Sequence, residues 1–230
     1  SKITSILVTL DTTEDVVEEA INKGCNLIVS YHPIIFNGLK QITNDNYVQK
    51  SVIKAVKNNI SVYAIHTSLD NHPKGISYLL SNLIGLKNIS VLLPKEEKLN
   101  KIKIGMGSIG ELEKPVYEIT FFDLLKNKLG LKYIRHSNKL NKKISKVSVV
   151  VGSGSFAIKD SIESNVDAFI TSDFKYHNFF EADNKAILID IGHYESEKHI
   201  KMFIKEFLNK KLPNFTVLLS EQNINPVNYY

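Results

Sequence analysis

Residues 6–29 read Ile6-Leu7-Val8-Thr9-Leu10-Asp11-Thr12-Thr13-Glu14-Asp15-Val16-Val17-Glu18-Glu19-Ala20-Ile21-Asn22-Lys23-Gly24-Cys25-Asn26-Leu27-Ile28-Val29, and this stretch decides the fold class. The apolar triplets at its two ends are strands. Between them, Thr12 and Thr13 followed by two acids offer a helix N-cap with acidic residues in the first turn. Val16, Val17, Ala20 and Ile21 form an apolar stripe, and Gly24 supplies the stop. A strand, a helix and a strand at this spacing make the repeating unit of an α/β fold.

The rhythm continues outward. Lys50 to Asn58 and Gly75 to Ile84 read as helices, with a strand at Ser61 to Ile65. The middle of the chain gives strands at Lys101 to Met106 and Val116 to Ile119 with a turn between them, then a helix from Phe121 to Leu129 stopped by Gly130. Lys132 to Arg135 is a short strand and Ser137 to Ser145 a polar loop. Strands at 147–151, 168–171 and 187–191 then alternate with helices at 156–164 and 176–182. One last helix spans about Glu195 to Leu212, with Ile200, Phe203, Ile204, Phe207 and Leu208 at a 3.6-residue period, and Phe215 to Leu219 closes as a strand. The polar run Leu93-Pro94-Lys95-Glu96-Glu97-Lys98 is the expected boundary. It divides a first α/β lobe, 1–95 with 214–230 returning to it, from a second, 96–213.

Apolar residues make up 43% of the 230 and charged residues 23%, a globular composition. No apolar run reaches the ~18 residues of a membrane span, and no signal-peptide core follows Ser1-Lys2-Ile3-Thr4; a cytoplasmic location is expected. The single Cys25 excludes an intrachain disulfide and a cysteine-only metal cluster, and reads as a small buried residue. The net charge of +5 invites a nucleic-acid reading, but 28 of the 29 basic residues are lysine and only Arg135 is arginine, the usual bidentate reader of guanine and phosphate. Scattered lysines describe a solvated surface, and specific nucleic-acid binding is not expected.

Polar clusters follow four of the strands: Tyr31-His32-Pro33, His66-Thr67-Ser68-Leu69-Asp70, Ser172-Asp173 with His177 four residues on, and Gly192-His193-Tyr194-Glu195-Ser196-Glu197. Ligands of α/β sheets bind outside the carboxyl ends of the strands. His32, His66, Asp70, Asp173, His177, His193 and Glu197 are therefore expected to converge. His193 and Glu197 are spaced i, i+4 and share one helix face, which continues into Ile200 and Ile204 and so points inward. An inward His/Glu pair is costly unless paired or metal-bound. Imidazole and carboxylate donors suit Zn, Mn, Fe or Ni better than Mg or Ca. Alone, Glu195 and Glu197 read as acids on a helix dipole; the repeated strand-end placement is what favours a site. Gly105-Met106-Gly107-Ser108-Ile109-Gly110 spells G-x-G-x-x-G, but Pro115 and the charges before it block the helix a dinucleotide fingerprint needs. Gly152-Ser153-Gly154-Ser155, joining a strand to a helix, is the better anion candidate, with a tight turn as the commoner explanation.

In order, Leu10-Asp11-Thr12-Thr13, Ser30-Tyr31-His32-Pro33-Ile34-Ile35-Phe36, His66-Thr67-Ser68-Leu69-Asp70, the glycine motif with Glu111-Leu112, Thr171-Ser172-Asp173-Phe174-Lys175-Tyr176-His177, and Asp190 to Glu197 resemble the GTP cyclohydrolase 1 type 2, or Nif-three-like, family. The resemblance covers nearly the whole chain. It implies two α/β lobes with a dinuclear metal site in the cleft between them, and a toroidal homohexamer. It implies His32, Asp70, His193 and Glu197 as metal ligands, with Glu197 bridging two divalent ions. It places Tyr31 and His66 on the substrate side and His177 and Asp173 in proton transfer. The activity implied is hydrolysis of a nucleotide such as GTP, with metal-activated water attacking guanine C8; the alternative is a non-enzymatic metal-carrying scaffold for protein interaction, regulation or metal delivery. The family has two consecutive histidines where this chain has Tyr31-His32. A phenol, with a reference pKa of about 10, is a poor neutral-pH donor, so one tight ion and a second weaker one are expected. The family also begins with a further strand–helix segment carrying Asp-Asn-x-Gly-Leu, and this chain starts after it.

Overall fold

The computed structural model describes residues 2–99 and 102–230. In chain order the elements are β1 (Ser5–Thr9), α1 (Glu14–Asn22), β2 (Leu27–Ser30), α2 (Tyr47–Lys57), β3 (Ser61–Ala64), α3 (His66–Asp70), α4 (Ile76–Leu83), β4 (Lys87–Leu99), β5 (Ile102–Tyr117), α5 (Glu118–Leu129), β6 (Arg135–His136), β7 (Lys143–Ser153), α6 (Ile158–Glu163), β8 (Ala168–Ser172), β9 (Ile187–Asp190), α7 (His193–Glu197), α8 (Ile200–Lys211) and β10 (Thr216–Leu219). Short 3-10 turns cover Ser155–Ala157 and Tyr176–Ala182. The chain forms two compact units, Ser1–His66 with His199–Tyr230, and Thr67–Lys198.

The first unit is a four-stranded parallel sheet in the order β10-β1-β2-β3. Thr13 starts α1, its side chain accepting from the Val16 amide at 3.3 Å, with Glu14 and Asp15 in the first turn. The stripe of α1 buries Val16, Val17 and Ala20 against Leu7, Ile28, Ala55 and Ile60, and Cys25 lies in the same core. β10 returns to pair with β1 over Ser5↔Thr216 to Val8↔Leu219, and α8 packs against both. Glu19 ties the end of this strand to α1. Its carboxylate is buried and accepts from Ser220 Oγ at 2.6 Å, the Glu221 amide at 2.9 Å and Lys23 Nζ at 2.7 Å. Burial alone would raise the carboxyl; the hydrogen bonds from Lys23, Ser220 and Glu221 outweigh it and hold the group below the usual carboxylate range.

The second unit has a six-stranded mixed sheet, β4-β5-β7-β8-β9-β6. β7, β8 and β9 run parallel; β4, β5 and β6 join antiparallel. Alternation along the strands gives two cores. Val147, Val149, Ile170, Ile187 and Ile189 meet Leu80 and Ile84 of the α4 region and Phe121, Leu125 and Leu129 of α5. Val150, Phe169 and Leu188 meet Ala157, Ile158 and Phe174 on the other face.

Several sequence expectations change here. One unit boundary follows His66 and the other follows Lys198. Leu80 and Ile84 are buried in the second core, and α8 packs on β1 and β10, so their apolar faces decide membership. Residues 93–98 are no linker but part of β4, paired with β5 from Lys87↔Glu111 to Leu99↔Ile102. The two expected middle strands are one strand, Ile102–Tyr117, whose pairing with β7 shifts register between Glu111 and Val116 and so absorbs Pro115; the expected start at Lys101 lies outside the described residues. The last helix is broken into α7 and α8, and residues 176–182 form a 3-10 turn. The G-x-G-x-x-G glycines are strand residues. A Cβ on Gly105 would stand 2.1 Å from the Leu93 carbonyl, and one on Gly110 2.8 Å from that of Lys87.

Glu19→Ala is expected to lower stability by about 2–3 kcal/mol, from lost charge-assisted hydrogen bonds. The folded carboxyl lies below its unfolded value of 4.5, so the contribution is present above pH 4.5 and is lost as pH falls through the folded value. Urea denaturation of both proteins between pH 7 and pH 3 checks this: their difference should shrink on acidification.

Candidate metal centre

In the first unit β1, β2 and β3 are parallel, so their carboxyl ends share one edge of the sheet. Asp11 follows β1, Tyr31 and His32 follow β2, and His66 follows β3. His32 Nδ1 lies 3.0 Å from Asp11 Oδ1. An imidazole held by a carboxylate at Nδ1 presents Nε2 as its basic nitrogen. Tyr31 is buried, with its ring centroid 4.9 Å from that of His32 and 5.5 Å from that of His66. Phe36 meets His66 edge to face at 5.9 Å. Among the described non-glycine residues with positive φ, His66 at +24° is the one that is neither Asn nor Asp. Such strain persists where the surroundings over-determine it, as they do at functional sites.

In the second unit β8 ends at Ser172, directly before Asp173, and β9 leads through Gly192 into His193. Gly192, at φ +87°, makes the turn that starts α7. His193 Nδ1 is 2.6 Å from Asp173 Oδ2 and Nε2 is 3.1 Å from Glu197 Oε1. The i, i+4 geometry expected from sequence is thus present, although α7 is only five residues long. Glu197 is 3% exposed, so its carboxylate needs a positive partner. The hydrogen bond to Glu197, opposed by burial and reinforced by Asp173, pushes the His193 imidazole up to about 9. Both ring nitrogens then carry protons at neutral pH. A divalent cation in place of the Nε2 proton would supply the same compensating charge to Glu197, while Nδ1–H stays with Asp173. The donor types therefore fit a divalent metal.

Gly152 makes the room for this. Its φ is +71°, and a Cβ there would lie 2.8 Å from Glu197 Oε1 and 3.7 Å from His193 Nε2. Its amide donates to Ser196 Oγ at 3.1 Å, and its carbonyl accepts from Thr171 and Ser172. The Gly-Ser-Gly-Ser turn therefore serves packing under α7, and its first amide is not offered to an anion.

Asp70 closes α3 and is half-buried. His177 is exposed on the 3-10 turn, its ring against Tyr176 at 5.2 Å and Phe180 at 6.1 Å. The residue missed as a site candidate is Asp11; its position directly after an apolar strand was the available signal.

Gly152→Ala should cost about 1–3 kcal/mol, from strain at positive φ and displacement of the Glu197 carboxylate. In a Glu197→Ala background the same change should cost less. Urea denaturation of the four proteins gives this coupling; equal costs in both backgrounds would contradict the contact.

The chain is similar to known proteins over nearly its whole length. A family model described as Duf34/NIF3 (NGG1p interacting factor 3) matches residues 1–226. A Clostridium acetobutylicum protein named GTP cyclohydrolase 1 type 2 homolog is 32% identical over 234 residues, covering 100% of this chain and 87% of its own. The protein NIF3 homolog of Schizosaccharomyces pombe is 34% identical over 215 residues, covering 90% of this chain and 75% of its own. A crystal structure of a hypothetical protein from Staphylococcus aureus, 28% identical, superposes with a TM-score of 0.88 over 100% of this chain and 88% of that one. A Bacillus cereus protein related to NIF3 shares the fold, with a TM-score of 0.89 at 22% identity over 100% of this chain and 90% of that one. Among the described residues no helix is long and apolar enough to cross a membrane. With a family model matched over nearly its whole length and relatives above 30% identity, the chain belongs to the Duf34/NIF3 family.

Proposed function

We propose that the chain holds divalent metal through His32, Asp70, His193 and Glu197 and hydrolyses a nucleotide such as GTP. The observation that carries this reading is the His193 ring fixed between Asp173 and the buried Glu197. Imidazole and carboxylate donors of this kind would suit Zn, Mn, Fe or Ni. A bound ion would act as a Lewis acid that acidifies water. The protein residues do the rest. Asp173 holds Nδ1–H and so presents Nε2, and the buried Glu197 balances the charge. Tyr31 replaces a stronger donor, which favours one tight ion and a second weaker one.

The first unit offers a place for the substrate ring. A cavity of about 570 Å³ beside His32 and Asp11 is lined by Phe36, Asn37, Leu39 and Tyr47. Phe36 is 73% exposed, a face open for stacking a base. Among the described residues no lysine or arginine lines the cavity, so it suits the base and leaves the phosphates outside. His66 supports Phe36 from behind, and the exposed His177 is the proposed proton carrier. The assembly we propose is a cytoplasmic homohexamer.

A second reading is a metal-carrying scaffold for protein partners. It is favoured by the exposed rings of Tyr176 and Phe180 on one 3-10 turn and by the interaction named in the family description.

The test is formate release from GTP against metal content per chain. Metal-dependent formate release is expected, lost in His193→Ala, with KM raised about tenfold in Phe36→Ala by lost stacking. Glu197→Ala should empty both metal positions, and Tyr31→His should raise the metal content. A fully metallated wild-type protein that releases no formate would support the scaffold instead.

A further inference from the structure

The single arginine of a lysine-rich chain is held at a specific post. Arg135 lies on β6, directly opposite Asp190 of β9. Its Nη1 donates to Asp190 Oδ2 at 3.0 Å and its Nη2 to the Phe174 carbonyl at 3.0 Å, while the guanidinium lies 5.2 Å from the centre of the Phe179 ring. Asp190 is 5% exposed and fully used. Oδ2 also accepts from the Phe174 amide at 3.1 Å, and Oδ1 accepts from the Gly192 amide at 3.0 Å. One buried carboxylate therefore grips the residue after Asp173 and the residue before His193. The Phe174 residue is clamped at both its polar groups, N–H by Asp190 and C=O by Arg135. The clamp acts where the backbone needs it: Asp173 has φ +60° and Gly192 φ +87°, and such turns are retained by their surroundings. Two divergent donors in one rigid plane are what arginine offers and lysine does not.

We propose that Arg135 and Asp190 are positioning residues for His193. They set the approach of Asp173 to Nδ1, and through it the presentation of Nε2 to metal. The choice of metal as the ligand rests on the reading above; the mechanics of the clamp do not.

The chain, stripped of metal, is titrated with Co²⁺ alone, whose visible absorption reports its coordination. Wild type, Arg135→Lys, Asp173→Ala and the double variant are compared, with circular dichroism confirming that each is folded. Arg135→Lys is expected to weaken Co²⁺ binding about 10- to 100-fold and to change the absorption bands, as loss of a residue that orients a ligand does. In the Asp173→Ala background the same change should do little, because its effect passes through Asp173. Unchanged affinity in folded Arg135→Lys, or an equal loss in both backgrounds, would overturn the proposal. Asp190→Asn carries the same comparison if Arg135→Lys does not fold. A metal-free readout separates the clamp from the metal reading: the His193 Nδ1 proton should give a slowly exchanging downfield NMR signal that Arg135→Lys abolishes. If wild type binds no Co²⁺ while that signal behaves so, the clamp stands and the metal reading fails. A signal equally persistent in both proteins would overturn the clamp.

Discussion

The imidazole of His193 stands between two carboxylates, and one of them is buried. A buried acid without compensating charge costs several kcal/mol. Here the compensation is a ring whose own protonation is pushed up to about 9 by that same neighbour. Neither group is comfortable alone. The surroundings answer this constraint one contact at a time: Gly152 gives up its side chain, Ser196 takes the Gly152 amide, and Asp190 and Arg135 hold the turns on either side. A proton at Nε2 satisfies the arrangement, and a divalent ion satisfies it with more charge. That exchange is the chemical core of the functional reading.

The first unit follows the same construction rule with different parts. Parallel strands end together, and the residues just beyond them are polar or strained: Asp11, Tyr31, His32, His66. The Asp11–His32 contact has the same Nδ1-to-carboxylate form as Asp173–His193. In each unit a carboxylate from a neighbouring strand end fixes a histidine ring, so the sheet itself, not a flexible loop, sets the orientation of the donor.

Much of this was legible in the sequence because it is periodic or punctuated. The first helix carries its stripe and its cap, and the alternating strands bury what their pattern says. The histidines could be placed because they follow apolar runs directly. The β4–β5 hairpin was not legible at residues 93–98. An antiparallel ladder is held by backbone hydrogen bonds, so a polar, charged segment there looks like a linker while pairing as a strand. The break between α7 and α8 was hidden for the opposite reason: the apolar stripe resumes in phase after Lys198 and His199. Asp190 could have been suspected as an acid inside Ile187-Leu188-Ile189-Asp190-Ile191, where burial demands partners. Arg135 could not, because nothing local to it shows that Asp190 lies opposite.

The most direct measurement is anomalous diffraction at the absorption edge of manganese or zinc, from crystals of the metal-loaded protein. A strong peak at bonding distance from His193 Nε2 and a Glu197 oxygen, with Asp173 still on Nδ1, is the expected result. Full loading that leaves Nε2 hydrogen-bonded to Glu197, with the anomalous peaks elsewhere, would contradict it.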